Sequence, residues 1–190
     1  MISQKIKKKL VFSGDTNSIN IELIVKSFDY LKNKVFYIII CNKFDFLNNS
    51  IFKKSKLEIN EILDPLGFTD YNKNCLNIYN VENLSKSKYS NLLNQISISN
   101  CLANLSKFDL VTMPIDKSVF KKKINFIGMT EHLGLLNNKK TFMLMHGENF
   151  SIIPMTTHIN LKNIFKSINS HNINFFIKNI FANLEKSFYD

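Results

Sequence analysis

The sequence predicts an α/β fold in three layers, with helices on both faces of a mostly parallel sheet. Three observations lead there. Apolar patterns of strand length alternate with patterns of helical spacing along most of the chain. Residues 35–41 form an unbroken apolar, β-branched and aromatic run, as in a strand buried on both faces. No internal repeat, Gly/Ser linker or heptad run offers another architecture.

Each element has its own reason. Residues 6–12 read as a first strand that ends at Gly14. Ile21, Ile24, Val25, Phe28 and Leu31 then recur at helical spacing, with Ser18 or Asn20 as a cap and Glu22 in the positive first turn. After the 35–41 strand comes a helical stretch over 44–54, then short strands at 57–62 and 76–81. Between those two strands, Pro65, Gly67 and several Asn and Asp mark a loop. A helix follows over 89–106, then a buried strand at 108–113, stopped by Pro114. Residues 141–145 and 150–155 read as a hairpin around His146-Gly147-Glu148-Asn149. Leu161, Ile164, Phe165 and Ile168 make a short amphipathic helix, and residues 173–188 a longer one.

Composition narrows the function. The chain has 190 residues, 45% hydrophobic and 21% charged, with a mean hydropathy of -0.07. Those values fit a globular protein and argue against disorder. No apolar run approaches the roughly 20 residues of a membrane helix. The basic N-terminus lacks a signal-peptide core, so a cytoplasmic location and no membrane partner are expected. The net charge of +10 invites a nucleic-acid reading, but all 25 basic residues are lysine. The 27 Asn and 25 Ile point to AT-rich codons as the source of this bias. Base readers use arginine forks and aromatic platforms, so nucleic-acid binding is the weakest of the function classes. Cys41, Cys75 and Cys101 are too few and too scattered for a disulfide framework or a CxxC pair, and are expected as buried, reduced thiols.

Four segments place polar chemistry where α/β proteins bind ligands, at strand ends and helix starts. The first runs from Ser13 through Gly14-Asp15-Thr16-Asn17-Ser18-Ile19-Asn20-Ile21-Glu22, a strand-to-helix loop suited to an anion or to a plain turn. The second is Thr112-Met113-Pro114-Ile115-Asp116-Lys117, and the third Gly128-Met129-Thr130-Glu131-His132. The fourth is Thr156-Thr157-His158. His158 is a candidate metal ligand or a structural hydrogen-bonder. A catalytic metal site needs about three protein ligands, and no other His has a matching spacing.

In order and spacing these segments resemble the 4-hydroxythreonine-4-phosphate dehydrogenase family of vitamin B6 biosynthesis. The family's G-D-P-A-G-I-G-P-E loop corresponds to Gly14–Glu22, matching at Gly14, Asp15, Ile19 and Glu22. T-x-P-I-N-K corresponds to Thr112–Lys117, G-H-T-E to Gly128–Glu131, and T-T-H-I-P-L to Thr156–Leu161. The resemblance implies a fold like that of isocitrate and isopropylmalate dehydrogenases, as a homodimer sharing its active sites. It implies a first α/β domain over 1–121 that lacks its closing segment. A second domain would begin over 122–190 and be truncated, so the chain is expected to be a fragment or a shortened member. By the same resemblance, Thr130 binds substrate and Met129 stands where a substrate-binding histidine is usual. His158 is one of three histidines on a divalent metal of zinc, magnesium or cobalt type. No catalytic residue is assigned, and most NAD contacts are expected in chain beyond Asp190. The implied reaction is NAD-dependent oxidation and decarboxylation of a phosphorylated hydroxy-amino acid, 4-phosphooxy-L-threonine. The alternative is a non-catalytic or degenerate paralogue that binds a phosphorylated hydroxy acid.

Overall fold

The computed structural model describes residues 7–120 and 126–184. They divide into two compact units, with the boundary between Met129 and Thr130.

The first unit is built on a parallel sheet. Its elements are β1 (Lys7–Phe12), α1 (Asn20–Leu31), β2 (Val35–Cys41), α2 (Lys43–Asn48), α3 (Ser50–Lys54), β3 (Ile59–Glu61), β4 (Leu76–Asn80), α4 (Lys88–Ser106) and β5 (Asp109–Thr112). The strand order is β3-β4-β2-β1-β5 and every pairing is parallel. In register, Leu10 lies opposite both Ile38 and Leu110, and Ile39 opposite Ile78. β2 therefore sits mid-sheet, and its side chains feed both faces. Ile39 and Cys41 join Ile21, Ile24 and Phe28 of α1 with Phe46 and Phe52 of α2 and α3. Ile38 and Ile40 join Leu10, Ile62 and Val81, covered by Ile98 and Leu102 of α4. The expected three layers are present, and the continuous 35–41 run is explained by burial on two sides.

Local expectations needed correction at several points. The 44–54 helix is two helices, broken at Asn49, whose extended backbone lets its Oδ1 accept from Ile51 N and Phe52 N. Neither Ser18 nor Asn20 is the cap residue of α1. That position is Ile19, and Asn20 is the first helical residue, its N–H donating to Ser18 Oγ. β5 is only partly buried, because it is an edge strand paired with β1 alone. Its exposed Asp109 is ion-paired with Lys9. Cys41 and Cys75 are buried free thiols, but Cys101 is exposed on α4. Burial pushes the Cys41 thiol far up, so it is inert.

The second unit contains α5 (Met129–Leu136, crossing the boundary), β6 (Met145–His146), β7 (Ser151–Ile152), α6 (Ile164–Ser167) and α7 (Ser170–Leu184). The hairpin exists but is far shorter than expected: two residues per strand, closed by Gly147 N donating to Phe150 O. The helix expected at 161–168 is a 3-10 turn, Leu161–Asn163, running into α6. Phe142 packs edge-on against Phe176 of α7, with ring centroids 5.4 Å apart. The expected strand residue Ile6 and helix residue Phe188 lie outside the described residues. Among the described residues, no helix is long and apolar enough to cross a membrane.

Candidate functional site

In the first unit the loops gather at the carboxyl ends of β1, β2 and β4, where a parallel sheet places ligands. Because β5 pairs with β1, the first two motifs meet there. Asp15 N donates to Pro114 O at 3.3 Å. The Asn20 amide is wholly buried, and its Nδ2 donates to Pro114 O (2.7 Å), Ser13 O (2.9 Å) and Asp15 O (3.3 Å). Gly14 is required at this meeting point. Its φ is +66°, and a Cβ there would lie 2.3 Å from Pro114 O. The Asn20 amide fills the space beside Gly14. Its Oδ1 is buried without a partner among the described residues, a desolvation cost set against the bonds made by the two amide protons, one of them shared between acceptors.

Asp15 points the other way. Its carboxylate is buried, accepts from Asn17 N at 3.0 Å and pairs with Lys88 of α4 at 2.6 Å. These groups form one wall of a cavity of about 570 Å³, whose other walls are α2, the loop after β4 and the start of α4. Ser87 caps α4, accepting from Ser90 N. Gln95 and Leu92, buried on the inner face of α4, complete the lining.

In the second unit the third and fourth motifs meet. Glu131 lies in the first turn of α5, and its Oε1 is 3.9 Å from Nε2 of His158. The two are too far apart for a hydrogen bond. His158 has φ +55°, a left-handed conformation that His adopts more readily than most residues. Its side chain is half exposed. Thr130 is held through its backbone, its carbonyl accepting from Thr141 Oγ1 at 3.1 Å. Met129 is the first residue of α5 and is partly buried. Burial lowers the pKa of His132, which favours neutral imidazole. Among the described residues, no three His, Cys, Asp or Glu side chains converge as a metal site would require.

Asn20 belongs to the first of the four segments, but its tie to Pro114 depends on strand order. Two contributors, Lys88 and Gln95, lie outside those segments. Lys88 was unremarkable in a lysine-rich chain. Gln95 did carry a signal: with Leu92, Ile96 and Ser99 it lies on the buried stripe of α4, where a long amide is out of place.

A parallel sheet with polar loops clustered at its carboxyl edge is an α/β architecture of the kind that places ligands at that edge. A model of the family described as pyridoxal phosphate biosynthetic protein PdxA matches residues 31–189, and the chain belongs to that family. The first loop precedes the matched residues. A curated 4-hydroxythreonine-4-phosphate dehydrogenase of Campylobacter fetus subsp. fetus is 28% identical over 176 residues, covering 90% of this chain and 54% of that protein. Another, from Hydrogenobaculum, is 40% identical over 62 residues, covering 32% of this chain and 20% of that protein. Among solved structures, the 4-hydroxythreonine-4-phosphate dehydrogenase of Burkholderia phymatum superposes with a TM-score of 0.75 at 17% identity. That match covers 91% of this chain and 56% of the other. The Klebsiella pneumoniae enzyme gives 0.71 at 19% identity, covering 88% and 56%. The chain thus spans about half the length of the relatives that it matches over most of its own length.

Proposed function

We propose that this chain forms part of an NAD-dependent, metal-assisted 4-hydroxythreonine-4-phosphate dehydrogenase of vitamin B6 biosynthesis. Its substrate would be a phosphorylated hydroxy-amino acid, and its active site would be shared across a homodimer. The observation that carries this reading is the family match over residues 31–189, which includes the third and fourth motifs. Their meeting at Glu131 and His158 supports it.

The residues present suit one edge of a metal site. His158, with Glu131 Oε1 3.9 Å from its Nε2, is the side chain that would hold such an ion, and Glu131 is the nearest carboxylate to it. Imidazole and carboxylate together suit zinc or cobalt, and the carboxylate tolerates magnesium. Bound there, such an ion would supply Lewis-acid polarisation of a substrate hydroxyl, and NAD would serve as the hydride acceptor. His158 contributes the Nε2 lone pair and must be neutral to do so. Thr130 offers a hydroxyl that both donates and accepts to substrate. Met129 offers neither charge nor a donor, so a contact made by histidine elsewhere in the family becomes apolar here.

The test is a chimera in which this chain is joined to the remaining length of the Campylobacter relative. NADH formation from 4-phosphooxythreonine and cobalt(II) binding, seen in the visible spectrum, are measured together. His158→Asn keeps a side chain tolerant of positive φ and removes the imidazole. It is expected to weaken cobalt binding at least 10-fold and to abolish turnover. A folded chimera that binds cobalt equally well with and without His158 removes the assignment. Met129→His is expected to raise turnover if only the lost contact limits it. A folded, metal-loaded chimera inactive with either residue at 129 favours the degenerate, binding-only paralogue.

A further inference from the structure

The direction of the sheet sorts the charges of the first unit. Within four residues after each strand stands one acid, Asp15, Asp45, Asp64, Glu82 or Asp116, against a single lysine, Lys43. Chain entering the strands is the reverse. The four residues before β2, β3, β4 and β5 hold Lys32, Lys34, Lys56, Lys73 and Lys107 with one acid, Glu58, and β1 itself opens on Lys7. Every pairing is parallel, so these lysines share the amino edge, opposite the loops of the carboxyl edge.

Strand register aligns them further. Ile39 lies opposite Ile78 and Ile59 opposite Leu76, and carrying these pairings outward sets Lys34 level with Lys73 and Lys73 level with Lys56. Lys7 lies opposite Val35, next to Lys34, and the β1–β5 register sets it level with Lys107. The strand order β3-β4-β2-β1-β5 thus gives one file, Lys56-Lys73-Lys34-Lys7-Lys107. With neighbouring strands about 4.8 Å apart, the file is about 19 Å long.

The side chains of this file are available. All five lysines are exposed, and Lys7, Lys56, Lys73 and Lys107 make no ion pair or side-chain hydrogen bond with any described residue. The nearby acids Asp29 and Asp109 are already engaged by Lys32 and Lys9. Beside the file, Tyr30 is 68% exposed, with Lys34 Nζ 3.3 Å from its ring centroid. Helix dipoles favour cations at the ends of α1 and α4, which accounts for Lys32 and Lys107. They do not account for Lys73, which ends a loop, or Lys7, which lies in a strand.

These features select a partner by chemistry. A single file of unpaired cations matches a linear polyanion better than a broad lipid face. Lysine meets phosphate as a point charge and reads no base, so this binding needs none of the arginine forks that the sequence lacks. An exposed aromatic ring is a platform for an unstacked base, which favours a single strand over a duplex. We propose that the amino edge of the sheet binds single-stranded nucleic acid without regard to sequence, with phosphates along the lysine file and a base on Tyr30. The file is remote in the sheet from the carboxyl-edge loops and goes beyond the proposed dehydrogenase reading. That reading is tested at His158, so either can fail alone.

The experiment adds the full 190-residue chain to a fluorescein-labelled oligothymidylate of about 12 nucleotides and follows its anisotropy. Saturable binding is expected. Single strands lose about 0.7 in log–log salt slope per phosphate neutralised, so five contacts predict a loss of about 100-fold between about 50 and 200 mM salt. An oligouridylate should bind alike, because lysine on phosphate does not read the sugar. The triple variant Lys34→Ala, Lys73→Ala, Lys107→Asn alters exposed side chains, and Asn suits the left-handed backbone at 107, where φ is +59°. It should weaken binding by about 10-fold or more and flatten the salt slope by about 2. Tyr30→Ala should weaken binding by about 3-fold or more. A control triple with the same loss of charge, Lys86→Ala, Lys162→Ala, Lys166→Ala, should weaken binding by less than about 3-fold. Circular dichroism melts check that both triples are folded. Absence of saturable binding, equal weakening by the two triples, tighter binding to a duplex of the same length, or stronger competition by phosphatidylserine vesicles than by unlabelled oligothymidylate overturns the proposal.

Discussion

The two units of this chain use similar apolar residues to different ends. In the first, Leu10, Ile38, Ile39, Ile40, Leu76 and Ile78 are fully buried, sandwiched between α1–α3 and α4. In the second, Gly134 is the only buried residue among those described. Phe150, Leu161, Phe165 and Phe181 are largely exposed there. A two-residue hairpin is too small to bury a sheet face, since isolated two-stranded sheets are marginal in water. Apolar periodicity shows which side of an element seeks cover, and topology alone decides whether this chain provides it. In the first unit five strands and four helices cover one another. In the second, the apolar faces of α6 and α7 are only partly covered by described residues, with Phe165, Phe175, Ile177 and Phe181 exposed.

The sharpest way to break this contrast is a pair of truncations. Ile39→Ala removes a wholly buried side chain from the middle of the sheet, and a loss of about 3 kcal/mol of stability is expected. Phe165→Ala removes a larger side chain that is 84% exposed, with an expected change within about 0.5 kcal/mol. Urea denaturation followed by circular dichroism measures both. Equal losses would mean that Phe165 is buried in solution and that the second unit is closed. Limited proteolysis extends the comparison: early cuts are expected within residues 130–184, while a fragment containing residues 7–120 persists.

The next effects probe the junction of the first two motifs. Gly14→Ala forces a side chain into a left-handed conformation and against Pro114 O, at an expected cost of about 2–4 kcal/mol. Asn20→Ala loses the bonds that two amide protons make to three carbonyls but also removes a buried oxygen unpartnered among the described residues. The two effects oppose, so a net loss of only about 1 kcal/mol is expected. A thermal melt in which Asn20→Ala costs as much as Gly14→Ala would show that the amide, rather than the glycine, holds the two loops together.

Legibility in the sequence follows the same divide. The 35–41 run was readable because burial on both faces leaves an uninterrupted apolar string. The α1 face was readable because only one stripe is covered. The edge position of β5 was not, since Phe108, Leu110 and Val111 look the same beside one neighbour as beside two. The hairpin was overread for a related reason: residues 141–145 have strand-like side chains but no partner strand to hold them extended. At the candidate site, motif order includes Gly14, Asp15, Asn20, Thr130 and His158 as residues. It does not show the contacts of Asn20 with Pro114 or of Lys88 with Asp15, which span 94 and 73 residues of sequence. Such contacts exist only once β1 and β5 are neighbours and α4 crosses the sheet.

The smallest expected effect tests whether the second unit has any protected interior at all. His132, on α5, has its pKa lowered by burial, so its charged form is disfavoured in the folded chain. In the unfolded chain it titrates near the ordinary value of about 6.5. The folded state therefore binds fewer protons, and stability rises with pH wherever the two states differ. The contribution is complete above about pH 6.5 and declines as pH falls through the lowered folded value. His132→Gln removes this titration. Relative to the variant, the native chain should lose stability between pH 7 and pH 5, while the Phe165→Ala difference stays flat over the same range. Parallel pH profiles for the native and His132→Gln chains would mean that the imidazole is solvated, and the second unit would then be open even at α5.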